Sequence, residues 1–135
     1  MSAVAVVRYL LVNDATLLSA VPAVRIKTSV LPLGTPLPAI MIEHISTTER
    51  LTVDMSTPAR FATSRVQVTA LAKTYTQCAS IVELIRKALP HTRGLVAGVQ
   101  LDSILPEGAN PDFYDVESET HAQSRDFFVA FHQAA

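Results

Sequence analysis

Hydrophobic positions along the chain change period several times, and each change marks an element. Val4, Val7, Leu10 and Leu11 recur at three- and four-residue steps, which places them on one stripe of a helix over residues 2–12. Asn13 or Asp14 then stands ready to cap a short turn through Leu17 and Leu18, closed by Pro22. From Val24 to Thr28 the pattern alternates, Val24, Ile26 and Thr28 against Arg25 and Lys27, as in a strand with one wet face. Residues 30–38, VLPLGTPLP, hold three prolines and a glycine and cannot supply a regular ladder, so they form a surface connection. A strand over Ala39 to Ser46 follows, with Ile40 and Ile42 on one face and Met41 and Ile45 on the other.

Residues 47–61, TTERLTVDMSTPARF, show no period and predict a long hairpin loop or protruding arm. Alternation resumes from Ser64 to Lys73, where Val66, Val68, Ala70 and Ala72 face one way and Arg65, Gln67 and Thr69 the other. Thr74, three residues before Gln77, has the spacing of a capping box. Cys78, Ile81, Val82, Ile85 and Leu89 then mark the apolar stripe of a second helix, ended by Pro90 and Gly94. Three further strands, Val96 to Leu105, Phe113 to Glu117 and Ser124 to Gln133, are joined by the turn-rich PEGANPD and by SETHAQ. In the last strand Arg125, Phe127, Val129 and Phe131 share a face. The predicted fold is α+β: one mainly antiparallel β-sheet with two main helices packed on one face, in a single domain over 1–135. A long loop at 47–61 and an acidic turn region at 106–120 are its irregular parts.

Charge adds something the periodicity does not contain. Residues 1–93 carry ten Lys and Arg against five Asp and Glu, whereas residues 94–135 carry one against seven, so a net charge of −1 is made of +5 and −6. Should the fold separate these halves in space, a positive surface on one copy would meet a negative one on another; interleaving by the sheet would instead mix them. No run of about eighteen apolar residues occurs, so no membrane-spanning helix is expected, and the first residues lack the basic start of a signal peptide. Cys78 is alone, which fits a reducing compartment, the cytoplasm of the cell that makes the protein.

Candidate chemistry is sparse. No glycine-flanked serine elbow is present, and Cys78 lies on an apolar helical stripe, where it reads as a core residue. His44, His91, His121 and His132 form no helical ligand pair, and Gly34, Gly94, Gly98 and Gly108 do not cluster into a phosphate cradle. Asp112, Asp115, Glu117 and Glu119 offer oxygen ligands, but strand alternation would set the last three in a solvated row. No cofactor or metal is expected, nor sequence-specific nucleic-acid or membrane binding, and the chain reads as no enzyme.

The succession of segments resembles the tail-completion, or tail-terminator, proteins of long-tailed bacteriophages, also described as tail-to-head joining proteins. It is carried by LLVNDATLLSAV leading into VRI, the stretch LPLGTPLP leading into PAIMIEHIS, SRVQVTALAKTY running directly into TQCASIVELIRKAL, and a closing SRDFFVAFHQ. The resemblance implies a virion protein that caps the finished tail tube as a ring, most simply of six copies, stops tube polymerisation and offers the head connector a docking face. Its implied partners are its own copies, the tail tube protein and a head-completion or connector protein. The residues expected at such contacts are Glu49, Arg50, Asp54 and Arg60 on the long loop and Glu107, Asp112 and Asp115 on the acidic turn. The alternatives are a small cytoplasmic enzyme or ligand-binding domain, for which a deep pocket lined by Glu43, His44 or Arg65 would speak, and an adaptor that binds a host protein through an exposed strand edge.

Overall fold

In the computed structural model, residues 2–32, 34–50, 59–89 and 94–134 are described. Helix α1, Ser2–Val12, buries Val4, Val7 and Leu11 of the expected stripe together with Val6, while Leu10 is only partly buried. Asn13 Nδ2 donates to Tyr9 O at 2.7 Å and so satisfies one of the carbonyls freed at the end of α1. Asp14 is the residue that caps the next helix: its Oδ1 accepts from Leu17 N at 2.9 Å at the start of α2, Ala15–Ala20, and Leu17 is fully buried. The strand expected from Val24 begins later. Ala23–Arg25 forms a 3₁₀ turn after Pro22, with Arg25 N donating to Pro22 O, and β1 is only Ile26–Thr28.

Strand β2, Ala39–Arg50, pairs in parallel with β1 and antiparallel with β3, Ala59–Ala72. This corrects the expected loop at 47–61. The β2–β3 ladder continues to Arg50 opposite Phe61, because a register shift between His44 and Ser46 absorbs one residue and restores pairing beyond it. Of that stretch, residues 51–58 lie outside the described residues.

Helix α3, Tyr75–Ala88, starts at Thr74, whose hydroxyl accepts from Gln77 N at 3.2 Å, and buries Cys78, Ile81, Val82 and Ile85. The stretch read as one strand from Val96 is two. Strand β4, Gly94–Val96, turns at Ala97 and Gly98, both with positive φ (50° and 78°), into β5, Val99–Ala109. That pair of left-handed residues gives the twist a two-residue hairpin needs.

The acidic turn region is likewise shorter than expected. Strand β5 runs through Pro106 and Glu107, β6 occupies Phe113–Asp115, and β7 begins at Thr120 and reaches Ala134. Glu117 and Glu119 therefore sit in a turn and not in a row along a strand.

The strand order is β1-β2-β3-β7-β5-β4, with β6 paired to β7 beyond the end of β5. It is a mixed sheet: β1 and β2 are parallel, and the other pairs are antiparallel. Three helices accompany it, one more than the two expected, because α2 is an element of its own. Ile40, Ile42, Val66, Val68, Ala70, Phe127, Val129, Leu101 and Ile104 form one buried cluster with Val6, Val7 and Leu11 of α1 and Cys78, Ile81 and Ile85 of α3. The alternate positions, such as Gln67 and Phe128, keep contact with water. Each large apolar side chain in that cluster removes enough area from water to contribute about 2 kcal/mol.

Candidate interaction surface

The sheet's outward rows hold a polar network centred on Asp126. Gln67 stands opposite Asp126, and Arg65 opposite Phe128. Asp126 is 3% exposed, and its carboxylate is kept there by partners on both oxygens. Arg65 Nε donates to Oδ2 at 2.7 Å, and Asn110 Nδ2 donates to Oδ1 at 3.0 Å. Arg65 also reaches Glu107 Oε2 at 3.4 Å, at the half-exposed rim. The Asp126 carboxylate, first through its hydrogen bond and then through its charge, raises the Arg65 pKa above its ordinary value. Asn110 N donates in addition to Ser124 O at 3.0 Å. The network thus joins β3, β5 and β7 at the point where β5 ends, and it fixes the direction in which the chain leaves toward Asp112 and β6.

Two regions at that end of the sheet expose unusual side chains. Around β6, Phe113, Tyr114 and Val116 are exposed, as is Tyr75 at the start of α3. Tyr114 packs on His121 with ring centroids 4.6 Å apart, and Tyr75 meets the same ring edge-on at 6.2 Å. The Asp115 carboxylate accepts from Glu117 N at 3.2 Å and Ser118 Oγ at 2.7 Å, which shapes the turn before β7. Beside it, a cavity of about 550 Å³ opens between the 31–37 connection and the sheet, lined by residues including Pro32, Leu37, Leu71, Phe113 and Ala122. Glu43, His44 and Arg65 do not line it.

The expected contact residues fall into separate places. Glu49 is exposed near the far end of β2, and Arg50 and Arg60 lie in the backbone of β2 and β3 at the same end. Asp54 lies outside the described residues. Asp112 and Asp115 lie at the opposite end of the sheet, since Phe113 pairs with Ala122, Ala122 with Leu71, and Leu71 with Ala39. From Ala39 to Arg50 along β2 is roughly 35 Å at strand rise. Glu107 belongs to neither group and is tied to Arg65.

Sequence reading did not single out the buried Asp126 or its partner Asn110. Arg65 and Asp126 are 61 positions apart, and only strand pairing brings them together. The one local hint was an aspartate in an otherwise apolar run, SRDFFVAF. Among the described residues, no three His, Cys, Asp or Glu side chains gather as metal ligands, and no helix is long and apolar enough to cross a membrane.

Fold and surface together define an α+β protein whose conspicuous features are exposed sheet margins of differing charge. The chain belongs to the family described as "Tail completion protein gp17", whose profile matches residues 5–127. It is therefore a structural protein of a phage tail. Its fold is similar to that of a chain in the structure titled "Virion of native gene transfer agent (GTA) particle", with a TM-score of 0.69 and 13% sequence identity over 94% of this chain and 92% of that one. No curated protein matches the sequence.

Proposed function

We propose that this protein caps the completed tail tube as a ring of identical subunits, most simply six, stops tube polymerisation there, and presents its other side to the head-completion or connector protein. Family membership over most of the chain is the observation that carries this reading. The likeness to a chain of a virion particle agrees with a place in the finished particle, joined during assembly in the host cytoplasm.

A terminator needs two unlike surfaces, one for the tube and one for the head. The separation of Glu49, Arg50 and Arg60 from Asp112 and Asp115 along the sheet supports such a division of labour. Asp54, on the same stretch as Arg50, belongs with the first group in this proposal. Glu107 would act at a contact only where Arg65 leaves it free. We further take the sheet as mainly antiparallel, with its helices on one face and the other face left for partners. The role is one of assembly and not of catalysis.

Charge reversal of Arg50 and Arg60 together tests the assignment. Particles assembled with Arg50→Glu and Arg60→Glu should carry tails of abnormal length or remain unjoined to heads in electron micrographs. Normal, joined tails would remove that end of the sheet from the proposal.

A further inference from the structure

We propose that the outer margin of β1 on one copy docks against the outer margin of β6 on a second copy, and that this pairing is the lateral contact between neighbouring subunits. The two strands are outer strands on opposite sides of the sheet, and the register sets them in one cross-row. Ile26 pairs with Ile40, Ile40 with Ala70, and Ala70 with Gln123, next to Ala122, which pairs with Phe113. A subunit shifted sideways therefore brings its β1 toward its neighbour's β6 without sliding along the strands. Because the two surfaces differ, the contact is head-to-tail, the kind that closes into a ring when the rotation permits.

The chemistry of the two margins is complementary. Arg25 and Lys27 lie at β1, and Arg8 of α1 joins them, its Nε donating to Ile26 O at 3.2 Å. None of these three cations has an ion pair among the described residues. At the other margin Asp112, Asp115, Glu117 and Glu119 surround β6, with Lys73 as the nearby cation, its Nζ held on Ser118 O at 2.9 Å.

Apolar groups complete the match: Val24 and Val30 flank β1 at 72% and 68% exposure, and Phe113 at the start of β6 and Val116 just after it are 64% and 76% exposed. Since Arg8 already occupies Ile26 O, the contact is made by side chains more than by an added ladder. The longer margins of β2 and β5 are less suited to a neighbour, because register shifts at His44/Ser46, Leu101/Ser103 and Pro106/Gly108 interrupt them.

The inference rests on the ring reading, and cysteine cross-linking separates the two. Val24→Cys with Phe113→Cys places one exposed thiol on each margin of the chain, in nearly the same cross-row. Within one chain the margins are about 19 Å apart, four strand spacings, so a disulfide can form only between copies. Oxidation should give a reducible ladder of multimers.

Adding Lys27→Glu and Arg25→Glu, or in another chain Asp112→Lys and Glu117→Lys, should cut the ladder about tenfold by setting like charges together. Mixing those two variants should restore it, which also shows that both remain folded. No ladder, a ladder indifferent to the reversals, or no rescue on mixing overturns the β1–β6 contact. If light scattering still finds a ring in that case, the ring proposal stands and only this surface falls. A charge-sensitive ladder in particles whose tails fail to terminate would keep the surface and discard the capping role.

Discussion

Asp126 decides how the network on the outward face responds to mutation. Its carboxylate is almost completely removed from water, whereas Arg65 and Glu107 are partly solvated. Removing Arg65 strands a buried charge, and removing Asp126 leaves only a cation that can turn to solvent. Arg65→Ala should therefore destabilise the fold more than Asp126→Ala, and the double variant should cost less than the sum, as measured by urea unfolding. Asn110→Ala, which deletes a hydrogen bond to that carboxylate, should cost roughly 2 kcal/mol. Glu107→Gln should change little, since its bond to Arg65 is long and exposed.

Cys78 makes a second prediction at this scale. Its thiol is fully buried and donates to Ala70 O at 3.2 Å. Burial, the largest influence, raises its pKa above the ordinary value; a backbone hydrogen bond from Gln123 opposes this, and the charge of Asp112 adds to it. A raised folded pKa means the stabilising contribution is complete below the unfolded thiol value of about 8.5 and is lost as pH rises through the folded value. The alkaline decline in stability should be shallower in Cys78→Ala than in the parent. Alkylation of the native thiol at pH 8 should be at least about a hundredfold slower than in urea. Its core placement was legible in the sequence from helical spacing alone, while the partners of Asp126 were not, since nothing local encodes a contact across three strands.

At the scale of elements, legibility followed local chemistry. The limits of α1 and α3, the cap at Thr74 and the inward row of β3 all follow from periodicity and capping residues, and the structure has them where the sequence puts them. Errors arose where pairing overrode local signals. Thr47 to Arg50 and Ala59 to Phe61 look irregular, yet each gains a partner across the β2–β3 ladder. Pro106 and Gly108 look like a turn, but a register shift accommodates them within β5, Pro106 opposite Phe127, where the missing donor of proline is tolerated. The β4–β5 hairpin was hidden because Ala97 carries no turn signature. An alanine at φ 50° is strained, and Ala97→Gly should stabilise the protein by about 0.5 kcal/mol, the relief of strain exceeding the added chain entropy. A midpoint lowered in urea would show that the turn gains nothing from glycine.

For the whole molecule, the uneven charge of the sequence is neither fully separated nor fully mixed. Arg65, from the basic part, is consumed by Asp126 and Glu107, from the acidic part. Arg8, Arg25 and Lys27 stay on one margin, and Asp112, Glu117 and Glu119 on the other. Composition revealed the imbalance, but which charges remain available depended on strand order, and strand order cannot be read from alternation. The seven expected contact residues were chosen for their charge and for apparent irregularity. Asp112, in the irregular stretch before β6, is exposed, while Glu107, exposed at the Pro106/Gly108 register shift of β5, is tied to Arg65.

Strand β7 pairs with β3 along fourteen residues and with β5 and β6 on its other side, and all three precede it in the chain. Until residues 120–134 have been synthesised, the β1–β3 ladder and the β4–β5 hairpin have no strand between them. Joining them requires closure of a loop of some sixty residues, which places the decisive step late and makes acquisition of the native state slow for a chain of this length. A nascent chain is thus denied the joined sheet, and with it both of its outer margins, until β7 has been made.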